Sequence, residues 1–264
     1  MAADSRLRFG CAWDCCPKIL TLPRTDVAIS FAGDTQDAYP LMLQMSSAIG
    51  NYSRARNRAM DIRDLKGHAM RVFDSMRDLI TDLPKGNPPS EPPNISFILG
   101  GYSWQKKEFV LWRLRFVHRL GRFTATPEGS LRGSGGEKRI AIEGDYKDEV
   151  GRRLVQKLKA KGRFHTGGFD MEPFEVLRDI IRTSQFPYVG GAPQLLKIYE
   201  HMNYAPYAVY WPDRKSGDVT LFGRPLLDYE VAECLILDPD SLQTYDGRTG
   251  KVFKGGKRVK TREN

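Results

Sequence analysis

The apolar positions of this chain follow two periods. Residues 27–32, Val-Ala-Ile-Ser-Phe-Ala, form a short alternating block of β-branched and aromatic side chains, which predicts a strand. From Thr35 the spacing lengthens. Ala38, Leu41, Met42, Met45, Ala48 and Ile49 recur at three and four residues, as on one face of a helix. Gly33 separates the two patterns, and Asp34 or Thr35 is a natural N-cap. Pro40 falls near the first turn, where proline is tolerated, and Gly50-Asn51 ends the pattern. A second helix is predicted over 61–83, with Leu65, Ala69, Val72, Phe73, Met76, Leu79 and Ile80 on one face.

Ahead of these, residues 2–7 read as the end of a strand, 8–16 as a loop and 18–22 as a strand stopped by Pro23. After a proline-rich loop at 85–93, strands are predicted over 95–99, 109–116 and 120–125. Gly133-Ser134-Gly135-Gly136 is a turn, and 140–142 suits either a strand end or the start of a helix. Helices follow over 146–161 and 173–183, then strands over 195–199, 207–211 and 219–222. No internal period repeats. Strands, two helices, strands, two helices, strands is an order that points to an α+β fold with helix pairs covering sheets that face each other. One domain over 1–245 is expected, followed by a basic, mobile tail over 246–264.

Composition narrows the classes of function. The 41% hydrophobic and 28% charged content suits a globular protein with a solvated surface. No stretch approaches the roughly 18 apolar residues that span a bilayer, and no charged segment followed by an apolar run marks a secretory signal. A cytoplasmic protein with no membrane partner is expected. Cys11, Cys15, Cys16 and Cys234 lack the paired spacings of a zinc site and are expected to be free thiols, with no metal and no cofactor. His68, His118, His165 and His201 are scattered, and His68 reads as a packed histidine. The net charge of +9 is concentrated in the tail. Charge alone gives only salt-sensitive, non-specific affinity, so nucleic acid is not expected as the main partner.

The first third resembles the proteasome β-type subunits and the peptidase of the bacterial two-component ATP-dependent protease. The residues that carry the resemblance are Ala2-Ala3-Asp4-Ser5-Arg6, Lys18-Ile19 and Ala32-Gly33 before a long helix. Ile95 to Tyr102, running into Gly-Gly-Tyr, and the turn at Gly133-Ser134-Gly135 are similar to later motifs of that family. The resemblance implies a four-layer αββα sandwich with two facing, mainly antiparallel sheets. It also implies threonine-type hydrolysis of peptide bonds in peptide or protein substrates, by subunits that form homo-oligomeric rings and are commonly served by an ATPase.

In that chemistry the first residue of the mature chain attacks the scissile carbonyl, and its own α-amine accepts the proton. Carried over, Asp4 holds Lys18, Lys18 keeps positive potential on the nucleophile, Gly33 donates its N–H to the oxyanion and Ser134 stands near the amine. Plainer readings exist for each: Asp4 as an acid paired with Arg6, Lys18 as a solvated strand start, Gly33 as a turn glycine and Ser134 as a loop serine. The chain departs from the family in one respect that bears on activity. The strand that carries the nucleophile is missing, and Met1 stands against Ala2. Either the protein begins upstream of this Met, or it is a non-catalytic structural or regulatory subunit of the same fold. A basic nucleic-acid-associated protein is the third expectation.

Overall fold

The computed structural model describes residues 1–80, 93–135, 138–215 and 217–253. The chain opens with β1 (Ala2–Ala3), β2 (Leu7–Phe9), β3 (Cys11–Trp13), β4 (Ile19–Thr21) and β5 (Val27–Gly33). Helices α1 (Thr35–Asn51), α2 (Ser53–Arg56) and α3 (Ile62–Arg77) follow, then β6 (Ile95–Ser103), β7 (Glu108–Val117) and β8 (Arg122–Pro127). After α4 (Lys147–Ala160) and α5 (Glu172–Thr183) come β9 (Gln194–Ile198), β10 (Tyr204–Trp211) and β11 (Asp218–Leu221). The last strands are β12 (Arg224–Pro225), β13 (Leu235–Leu237) and β14 (Thr244–Asp246). The fold is mixed α and β, with five α-helices among the described residues. None of these helices is long and apolar enough to cross a membrane.

The strands form two main sheets. One has the antiparallel order β4-β5-β6-β7-β8. The other runs β1-β9-β10-β11-β12, with β13 added parallel to β10 and β14 antiparallel to β13. The period-2 alternation decides what each face meets. In β5, Val27, Ile29 and Phe31 pack with Leu41, Met42 and Met45 of α1 and Leu65 and Phe73 of α3. Ala28, one step out of phase, joins Ile19 of β4 and Leu196 of β9 in a small cluster where the two sheets touch. On β10, Tyr207 and Val209 pack with Phe174 of α5, while Ala208 joins Ile236 and Tyr245.

Several predicted elements differ from the observed ones. Part of the expected 8–16 loop is the β2–β3 hairpin, turned by Gly10 at φ +72°. Helix α3 stops at Arg77, where its last turn tightens as Leu79 and Ile80 donate to Met76 O and Arg77 O; residues 81–83 of the expected helix lie outside the described residues. Asp34 occupies the N-cap position of α1 without a side-chain capping bond, whereas Asp61 caps α3 by accepting from Arg63 N at 3.0 Å. Residues 140–142 enter no named element. Of the expected tail, residues 246–253 fold back, with Gly250 N donating to Asp246 O at 2.8 Å and Val252 bridging Tyr245. Residues 254–264, like the expected loop at 85–93 apart from Pro93, lie outside the described residues.

One fully buried ion pair ties the first sheet to its helices. The Arg24 guanidinium meets both oxygens of Asp26 at 2.7 and 2.6 Å, and its Nη1 donates to Ala55 O and Met60 O. Both partners are shut off from water, so each charge depends on the other.

Candidate functional site

A cavity of about 830 Å³ lies beside β1. Its wall is formed by Met1 to Asp4, by Lys18, by the end of β5 through Gly33, by residues 139–147 and by Phe174 and Leu177 of α5. β1 ends its sheet: β9 covers one edge, and no described strand pairs with the other. The Met1 amine donates to Leu196 O at 2.7 Å, and burial lowers its pKa to about 6.

Asp4 follows β1, and three donors hold its carboxylate. Lys18 Nζ donates to Oδ1 at 2.8 Å, and the backbone N–H groups of Arg6 and Gly190 donate to Oδ2 at 3.1 and 3.2 Å. The side chains of Lys18 and Asp4 are 14% and 12% exposed, so the pair is screened much less than a surface pair. Arg6, two residues from Asp4, turns its guanidinium elsewhere and grips Asp14 at 2.7 and 2.8 Å. That hydrogen-bonded pair holds the Asp14 carboxyl below its ordinary value.

The two elements that bring Asp4 and Lys18 together are joined by a buried residue that the sequence pattern does not single out. Gln194, at the start of β9, accepts from Lys18 N at 3.0 Å and Ile19 N at 3.3 Å through its Oε1. Its Nε2 donates to Asp4 O at 3.1 Å and Cys16 O at 2.8 Å. All the hydrogen-bonding capacity of this side chain is thereby used in clamping the end of β1 to the start of β4. Ser5, also fully buried, donates its hydroxyl to Asp14 O at 2.9 Å. In sequence, Gln194 is an ordinary polar residue before two leucines, and nothing local marks it.

Gly33 has φ +103°, and a Cβ there would sit 2.0 Å from Asn94 O, so only glycine fits. Asp34 N donates to Asn94 O just before β6, and Phe31 N donates to Lys18 O on the opposite edge of β5. Strand alternation turns the Gly33 N–H to the same side as that of Phe31, beyond the start of β4. Asp4, Lys18 and Gly33 thus share one cavity. Ser134 is not among the residues lining it. Its hydroxyl donates to Leu131 O at 2.7 Å within its own turn.

The four cysteines are free thiols, and among the described residues no group of three His, Cys, Asp or Glu is placed to hold a metal ion. The rings of His68 and Tyr52 lie 5.7 Å apart. An acid-anchored ammonium on a cavity wall, with a backbone N–H close by, can lower the pKa of a hydroxyl or amine placed next to it and stabilise developing negative charge. No protein-family model matches this sequence, and no curated protein matches it.

Proposed function

We propose that this chain is a proteasome-like peptidase subunit and that the cavity beside β1 is its catalytic site. The observation that carries the reading is the Lys18–Asp4 pair, joined at 2.8 Å on the cavity wall. Withdrawing an ion pair from water costs desolvation that packed apolar side chains avoid, so stability alone accounts poorly for it there. Lys18 supplies positive potential, Asp4 and its two N–H donors fix Lys18, and the Gly33 N–H serves the oxyanion of a peptide carbonyl. Ser134 has no part in this reading. The only side-chain partner of the Lys18 ammonium among the described residues is Asp4, and the reading leaves the attacking hydroxyl or thiol unassigned. The same reading takes the contacts of α1 and α3 with one sheet, of the two sheets with each other and of α5 with the second as a four-layer αββα sandwich. It implies peptide or protein substrates, a homo-oligomeric ring, an ATPase partner and the cytoplasm.

The test is a form extended at its N-terminus by a strand headed by threonine with a free amine, assayed on fluorogenic peptides. Turnover is expected, and Lys18→Ala is expected to reduce it about a hundredfold or more. An extended form that folds but cleaves nothing, or cleaves equally well with Lys18→Ala, would move the protein to a non-catalytic subunit of the same fold. Salt-dependent retention on DNA, lost on deleting residues 248–264, would instead favour a nucleic-acid partner.

A further inference from the structure

A fully buried lysine lies near Ser134 in sequence, and its surroundings differ from those of Lys18. Lys138 is fully buried. Its ammonium donates to Gly135 O at 2.6 Å, Thr166 O at 2.9 Å and Gly167 O at 2.8 Å. An ammonium has three N–H donors, and these three carbonyls take all of them. Lys18 and Arg24 each meet a carboxylate, whereas among the described residues the hydrogen-bond partners of the Lys138 ammonium are backbone carbonyls. Carbonyl oxygens converging on a cation in place of its water are what a bound alkali or ammonium ion would have around it.

The backbone is shaped for this. Gly135 N donates to Phe164 O at 3.2 Å, and a Cβ on Gly135 would lie 2.3 Å from His165 O, so only glycine lets the two segments approach. Gly167 has φ +61°, a left-handed conformation that other residues adopt at a cost. Leu131 N donates to Lys138 O at 2.8 Å, closing the turn from the other side. Directly after Lys138, residues Arg139, Ile140, Ala141, Ile142 and Glu143 form part of the cavity wall.

We propose that the Gly135, Thr166 and Gly167 carbonyls form a monovalent-cation cradle that the protein fills with its own Lys138 ammonium. By doing so Lys138 ties Gly135 and residues 138–140 to the 164–167 turn and positions that wall of the cavity. It is a positioning residue, and the inference stands independently of the peptidase reading.

Lys138→Met keeps a side chain of similar length but removes the ammonium, leaving the cradle open to an ion from solution. In tetramethylammonium chloride, whose cation is too bulky for the cradle, the full-length variant is expected to unfold at a lower urea concentration than the unsubstituted protein. Potassium or ammonium chloride at equal ionic strength is expected to raise its midpoint, by roughly tenfold in the folding equilibrium at a concentration ten times the dissociation constant. The unsubstituted protein should not respond to the exchange of salts. The proposal is overturned if the variant is as stable as its parent, if its loss is the same in all three salts, or if potassium stabilises both proteins equally. Should the variant fail to fold, competitive acylation of the native unsubstituted chain decides. Lys138 is expected to react at least about a hundredfold more slowly than exposed Lys107 and Lys215, and reaction at their rate overturns the cradle.

Discussion

The two sheets bury their interiors by different means. Against β5–β8, one continuous cluster of 21 buried residues joins the strands to α1 and α3. Around α4, α5 and the second sheet the interior divides into clusters of five, four and four buried residues. Ion pairs link the elements around these clusters: Lys157 with Asp179, Lys161 with Glu175, Arg163 with Glu172 and Arg182 with Asp240. Continuous apolar packing resists deformation, whereas small clusters joined by charges depend on pH and salt. The candidate site draws on both. Lys18 and Gly33 are fixed by the densely packed half, while Gln194, Gly190 and the wall after Lys138 come from the divided half.

The largest effect expected is that of Asp26→Ala, which strands the buried Arg24 charge and should cost about 3–5 kcal/mol in urea denaturation. Loss of less than about 1 kcal/mol would mean that water reaches the pair. Phe73→Ala, in the continuous cluster, should cost about 3–5 kcal/mol, and Leu158→Ala, in a small cluster between α4 and α5, nearer 2 kcal/mol. The reverse order would break the comparison between the halves.

Glu172 gives a pH test of the ion pairs. Burial pushes its carboxyl up, but the Asp170 N–H at 2.8 Å and the Arg163 guanidinium more than offset that, leaving it below the ordinary glutamate value. The fold therefore favours the charged form. The stability this provides is present above the unfolded glutamate's pKa and is lost as pH falls through the lower folded value. An acid titration of Glu172→Gln should show a shallower loss of stability over that window than the parent protein. Identical slopes would remove Glu172 from the acid response.

The smallest effect is kinetic and leaves the fold intact. Cys11 and Cys15 are exposed, while burial pushes the thiols of Cys16 and Cys234 up. Iodoacetamide at neutral pH should modify Cys11 and Cys15 first, because the thiolate is the reactive form. If Cys234 reacted as fast as Cys11, the divided half would be more open than its packing indicates.

Much of the fold was legible where an element is long enough to show its period. The helical face of α1 is plain in the sequence and is buried apart from the half-buried Ala48, while β5 forms as read but is buried on both faces. Strands β12, β13 and β14 are two or three residues long and give no period to read. The β2–β3 hairpin was missed for the same reason. Of the candidate site, Asp4, Lys18 and Gly33 were legible because each belongs to a short motif. Ser134 also belongs to one, and the structure sets it in its own turn instead.

The sequence by itself determined the longer strands and helices, since the period of apolar positions is local. The tertiary structure alone decided the partners. Asp4 takes the Lys18 ammonium and not the guanidinium of its near neighbour Arg6, because β1 and β4 are clamped together by Gln194 from 190 residues away. Lys138 finds its three carbonyls because two segments approach closely at glycines. Backbone carbonyls are the same at every residue, so no letter of the sequence announces that three of them will converge on one ammonium.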